Sequence, residues 1–102
     1  MGKRFGMGKC TWGDGSVYNG EWLNDVRNGQ GVFISREGSI YNGRYQNDLR
    51  DGNGTMTYAD GNKITGTWVQ DRLNGPGVIQ NMGKDPTPVV FVNDMVVSGK
   101  DV

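Results

Sequence analysis

Along Tyr18-Asn19-Gly20-Glu21-Trp22, aromatic and polar side chains alternate. A period of two places Tyr18, Gly20 and Trp22 on one face of a strand and Asn19 and Glu21 on the other. The run 24–29, Asn-Asp-Val-Arg-Asn-Gly, is rich in residues that accept positive φ, and it predicts a turn. Alternation resumes from Gln30 to Arg36 and predicts a second strand, with Gly29, Gly31 and Phe33 on one face and Val32 and Ile34 on the other. Glu37-Gly38 predicts the next turn. The segment therefore reads as a β-hairpin. No window sustains the apolar period of a helix.

The hairpin recurs. At a spacing of 23 residues, Tyr18, Tyr41 and Ile64 share a column, as do Gly20, Gly43 and Gly66. Trp22, Tyr45, Trp68 and Phe91 form another column, and Asp25, Asp48, Asp71 and Asp94 a fourth. The Gly-x-Gly pairs 29/31, 52/54 and 75/77 also coincide, and the turn glycines Gly15, Gly38 and Gly61 match one another. The chain 1–102 is read as one domain: a half repeat at 6–17, whole repeats at 18–40, 41–63 and 64–86, and a degenerate capping repeat at 87–102.

A single hairpin cannot bury its aromatics, whereas stacked copies can. The expected fold is all-β, an elongated single-layer antiparallel sheet of stacked β-hairpins. Each repeat adds two strands, or roughly 10 Å, so the ribbon should run to roughly 40–50 Å. The glycines of Gly-x-Gly should leave room for a ring from a neighbouring strand. The column Cys10, Phe33, Met56 and Ile79 is apolar throughout and marks the packed face.

Composition narrows the chemistry. Lys plus Arg and Asp plus Glu each number 11, so the formal net charge is zero, which argues against a nucleic-acid binder. The chain has no histidine and one cysteine, Cys10. It therefore lacks the commonest general base, a nucleophile–base pair, an internal disulfide and a cysteine zinc site. Neither a catalytic site, a metal site nor a cofactor is expected, and the chain is read as not an enzyme. A reduced, cytoplasmic setting fits this cysteine usage. No apolar run approaches the roughly 18–20 residues of a membrane span. Gly6 stands where a myristoylation signal at Gly2 needs Ser or Thr. Gly8-Lys9-Cys10 lacks the preceding glycine and the hydroxyl residue of a phosphate loop. The sequon Asn53-Gly54-Thr55 is built from repeat columns. The Asp row reads as turn-forming residues: at roughly 10 Å apart, they cannot gather around one calcium ion.

Tyr18-Asn-Gly-Glu-Trp22 followed by Asn28-Gly29-Gln-Gly31 resembles the MORN repeat. Tyr41-Asn-Gly-Arg-Tyr45 with Gly52-Asn-Gly54 is similar to it, and Ile64-Thr-Gly-Thr-Trp68 with Gly75-Pro-Gly77 lacks the first aromatic. The resemblance covers residues 6–86. Asp25, Asp48 and Asp71 depart from it, since the family often has glycine there. The resemblance implies an interaction module rather than a catalyst, with three settings: a protein scaffold, a peripheral membrane module, or the regulatory segment of a larger enzyme such as a lipid kinase or methyltransferase.

The candidate surfaces follow from these readings. Large aromatics on one side of a single sheet make anchors for a partner protein segment, and the expected groove comprises Tyr18, Trp22, Phe33, Tyr41, Tyr45, Trp68 and Phe91. Arg27, Arg50 and Arg72 fall in equivalent or adjacent loop positions and form the candidate edge for phosphoinositide headgroups on an anionic membrane. Such an edge would place the chain at a membrane–cytoskeleton boundary. Terminal strand edges invite pairing with another copy, a homodimer. The apolar stretch 86–92 would either cap the array or make that pairing.

Overall fold

The structure, a computed structural model, describes residues 5–98. Its strands in chain order are β1 (Phe5–Thr11), β2 (Val17–Leu23), β3 (Val26–Ile34), β4 (Ile40–Gln46), β5 (Leu49–Thr57), β6 (Lys63–Val69), β7 (Arg72–Leu73), β8 (Gly75–Gln80), β9 (Thr87–Val92) and β10 (Met95–Ser98). They form one open antiparallel sheet in hairpin order, with the short β7 beside β6. The ribbon measures 55 × 24 × 18 Å. The expected stack of hairpins is thus the observed architecture. Gly2, Lys3, Arg4 and residues 99–102 of the capping repeat lie outside the described residues.

Two kinds of turn alternate along the ribbon. On one side each turn carries a glycine at positive φ: Gly15 (96°), Gly38 (98°) and Gly61 (95°). The Gly15 N–H donates to the Trp12 carbonyl at 3.0 Å, and equivalent bonds close Ser35–Gly38 and Tyr58–Gly61. This is a tight turn followed by a left-handed residue, for which glycine carries no Cβ penalty. On the other side the turns are Asn24-Asp25, Asn47-Asp48, Gln70-Asp71 and Asn93-Asp94, with φ from 47° to 76° at both residues. Two consecutive left-handed residues match the twist of the flanking strands.

These second turns correct the expected boundaries. The turn is two residues long rather than 24–29, and β3 starts at Val26 rather than Gln30. Arg27 and Arg50 therefore lie in strands, not in loops. A bulge reconciles the two registers. Gly20 faces Gly31 and Trp22 faces Arg27, so β3 spends extra residues opposite Glu21. The same shift separates Gly43/Gly54 from Tyr45/Arg50. Gly29 sits in this bulge at φ 104°, and a Cβ there would lie 2.8 Å from the Glu21 carboxylate. Its glycine answers to backbone conformation and to Glu21, not to an aromatic ring. Only the second glycine of the pair makes ring room: a Cβ on Gly31 would clash with the Tyr18 phenol, and one on Gly54 with that of Tyr41.

The core lies on one face of the sheet. Tyr18, Trp22, Tyr41, Tyr45, Trp68, Leu73, Val89 and Phe91 are buried, and Cys10, Phe33, Met56, Ile64 and Ile79 pack against them. The rings Trp22, Tyr18, Tyr45, Tyr41 and Trp68 form a chain of edge-to-face contacts with centroids 5.0–5.3 Å apart. That geometry sets the positive edge of one ring against the negative face of the next. The stretch after Pro86 continues the array: β9 pairs with β8, and Val89 and Phe91 extend the core. Outside the end strands β1 and β10 no further strand pairs, among the described residues.

Candidate partner-binding cleft

Each Asn-Asp turn reaches back to the preceding repeat. The Asp48 N–H donates to the Arg27 carbonyl at 3.0 Å. In return Asp48 Oδ1 accepts the Arg27 backbone N–H at 2.7 Å and Arg27 Nε at 3.1 Å. Arg27 Nη2 donates to the Asp48 carbonyl at 3.1 Å. Arg50 and Asp71 repeat the clasp, with the Nε to Oδ1 bond at 2.6 Å. The bulge turns these arginines onto the core face, and the left-handed turn aims the carboxylate across the repeat boundary. The Asp row therefore serves the neighbouring repeat's backbone, not only its own turn as its spacing suggested.

The guanidinium groups lie among the core rings. Arg27 Cζ is 5.0 Å from the centroid of Tyr45, 5.7 Å from Trp12 and 5.8 Å from both Tyr18 and Phe33. Arg50 Cζ is 5.8 Å from Tyr41 and from Trp68. A cation at this range gains from the ring quadrupole, more so where water is thinned. The phenols are fixed as donors: Tyr18 Oη donates to the Glu21 carbonyl and Tyr41 Oη to the Arg44 carbonyl, both at 2.9 Å. Burial raises the pKa of Tyr18 and Tyr41 and pushes Tyr45 up to about 12, opposing the pull of the arginines.

Between the two clasps opens a cleft of about 260 Å³, lined by Arg27, Phe33, Ser35, Ser39, Tyr41, Tyr45, Asp48, Arg50, Met56 and Asp71. Three of the seven expected groove residues, Phe33, Tyr41 and Tyr45, line it. Tyr18, Trp22, Trp68 and Phe91 are buried in the core and do not line it. The three expected headgroup arginines do not come together. Arg27 and Arg50 line the cleft and are engaged by Asp48 and Asp71. Arg72 is exposed, and alternation with buried Leu73 sets it on the opposite face. Sequence reasoning missed Met56, Asp48 and Asp71 as cleft residues. The Asp column was visible, but its direction depends on the turn conformation.

No group of three or more metal-ligating side chains occurs among the described residues. Among the comparisons with known proteins, no curated protein matches the chain. The MORN repeat model matches residues 1–17, 18–40, 41–63 and 65–80. The chain belongs to the MORN-repeat family. MORN repeats are non-enzymatic modules that mediate protein or membrane interaction. Within this MORN array the third unit differs in a coordinated way: Ile64 stands in the Tyr18/Tyr41 column and Leu73 in the Arg27/Arg50 column. Leu73 is buried, and its Cδ2 would lie 3.1 Å from a Cβ on Gly66. It occupies space above the glycine comparable to that which the tyrosine rings fill in the earlier units.

Proposed function

We propose that the chain is a non-enzymatic scaffold that holds a segment of a partner protein in the cleft between the Arg27–Asp48 and Arg50–Asp71 pairs. The observation that supports this reading is the cleft itself: a half-open depression lined by the apolar and aromatic side chains of Phe33, Met56, Tyr41 and Tyr45 together with the two ion pairs. Apolar linings with a few placed polar groups suit side-chain capture. The clasps hold that lining rigid, which lowers the ordering cost of binding.

The test is site-specific photocrosslinking. A photoreactive phenylalanine analogue replaces Phe33 or Met56 in one set of proteins and Thr55, on the opposite face, in another. The scaffold reading expects protein adducts from positions 33 and 56 and none from 55. Equal labelling from both faces would reject it.

The membrane reading draws less support. The guanidiniums of Arg27 and Arg50 are already engaged, and Arg72 lies on the other face. Co-sedimentation with phosphoinositide vesicles separates the two readings. The scaffold expects no lipid-dependent pelleting, and loss of pelleting in Arg27→Glu plus Arg50→Glu would favour the membrane.

A further inference from the structure

The third clasp of the ribbon lacks its cation. Asp94 adopts the same left-handed turn as Asp48 and Asp71, at φ 71°. Its N–H donates to the Leu73 carbonyl at 2.9 Å, and its Oδ1 accepts the Leu73 N–H at 2.8 Å. The backbone half of the clasp is therefore complete. The side-chain half is absent, because Leu73 replaces the arginine and turns into the core. Among the described residues Asp94 has no cationic partner, and it is exposed.

The two complete clasps carry the same sign to the solvent. The side chains of Asp48 and Asp71 are 44% and 48% exposed, whereas those of Arg27 and Arg50 are 22% and 25% exposed. The arginines are drawn down onto the rings while the carboxylates stay at the rim. Along the core face, Asp48, Asp71 and Asp94 thus present three carboxylates against two half-buried guanidiniums. Beside them, the apolar column Phe33, Met56 and Ile79 continues from the cleft toward the Asp94 end.

We propose that the occupant of the cleft is a basic peptide segment, and that an arginine or lysine of this partner pairs with Asp94 and completes the third clasp in trans. This rests on the reading of the cleft as a protein-binding site. Charge complementarity selects the partner's sign: an acidic or phosphorylated segment would meet the outward carboxylates, whereas a basic one meets Asp94 with no internal competitor. One repeat is about 10 Å, or roughly three residues of extended chain, so apolar and basic residues of the partner alternate at that spacing along the ribbon.

The probe is a displayed library of random short peptides, selected on the immobilised full chain and resynthesised for titration. Enriched sequences are expected to carry Arg or Lys among apolar residues. Their binding should weaken with added sodium chloride and fall roughly three- to tenfold in Asp94→Asn, the range of a partly exposed interfacial charge pair. Asn keeps an oxygen for the Leu73 N–H and tolerates positive φ, so the fold is retained. Asp85→Asn, a change in the exposed loop before β9, is the control and should leave binding unaltered. Enriched peptides that bind the cleft without a basic residue, or that bind Asp94→Asn as well as the parent, would overturn this inference and leave the scaffold reading standing. Enriched peptides that are not displaced by cleft substitutions at Phe33 and Met56, or no enrichment at all, would overturn both.

Discussion

Asp48 and Arg27 close on each other through backbone and side chain together, across the boundary between two repeats. The contact joins a turn to the strand of the preceding hairpin. It therefore stabilises the stacking of units rather than any one unit, which is the term on which a repeat array depends.

Asp48→Ala removes the acceptor for two donors and leaves the Arg27 guanidinium without its counter-charge among four rings. It also puts alanine at φ 71°. The expected cost is about 2–4 kcal/mol, from a charged hydrogen bond and left-handed strain combined. Asp48→Asn keeps an acceptor oxygen and the turn preference, so its cost should be about 1 kcal/mol. Urea unfolding of both variants checks the order. Equal losses would mean that the carboxylate charge carries the whole effect, and the acceptor oxygen and turn preference none.

The glycine columns are not equivalent. A Cβ on Gly43 would lie 2.6 Å from Gly54 Cα, with the Tyr41 phenol equally close, and neither backbone nor ring can retreat. A Cβ on Gly66 meets only Leu73 Cδ2 at 3.1 Å, the end of a side chain that can rotate. Gly43→Ala is expected to cost about 3 kcal/mol or more, and Gly66→Ala about 1 kcal/mol. Thermal or urea unfolding of the two proteins decides this. Similar losses would show that strand propensity, not ring room, accounts for the column.

This contrast marks what was legible in the sequence. The period of two along Tyr18-Asn-Gly-Glu-Trp22, repeated every 23 residues, is enough to place the rings on one face and to stack the hairpins. The bulge at Asn28–Gln30 was not legible, because it arises where the left-handed Asn24-Asp25 turn sets one register and the Gly20/Gly31 contact sets another. Two of the errors about the site descend from it. Arg27 read as a loop residue is a strand residue on the ring face. Gly29 read as ring room is a left-handed bulge residue. In the third unit the same bulge is served differently: Glu21 accepts the Gln30 N–H at 2.8 Å, whereas Pro76 has no N–H to offer and Thr67 replaces the glutamate. Such paired changes are visible in a sequence only once the register is known.

Gln70 is the misfit among the turns. Its φ is 47°, where the equivalent residues Asn24, Asn47 and Asn93 are asparagines. Asparagine tolerates the left-handed region because its short amide bonds locally, and glutamine lacks that relief. The Gln70 N–H donates to Asp51 Oδ2 at 3.2 Å, a backbone bond that any residue keeps. Gln70→Asn is therefore expected to stabilise the chain by about 0.5–1 kcal/mol. A rise in the urea midpoint at constant slope is the expected result. An unchanged midpoint would show that the strain at this turn is already relieved.

The buried phenols set an alkaline limit. Their pKa values are raised in the folded chain, Tyr45 to about 12, whereas in the unfolded chain they return to the ordinary value near 10. Below pH 10 both states hold the phenolic protons, so this preference for the neutral form is fully present and stability is flat with respect to these groups. Above it the unfolded chain loses protons first. Stability should then fall as pH rises toward 12, by at most about 1.4 kcal/mol per pH unit for each phenol involved. Denaturant titrations between pH 8 and about pH 11.5 follow the decline, and Tyr45→Phe should make it shallower. A slope unaltered by that substitution would place the alkaline sensitivity in the other buried phenols, Tyr18 and Tyr41.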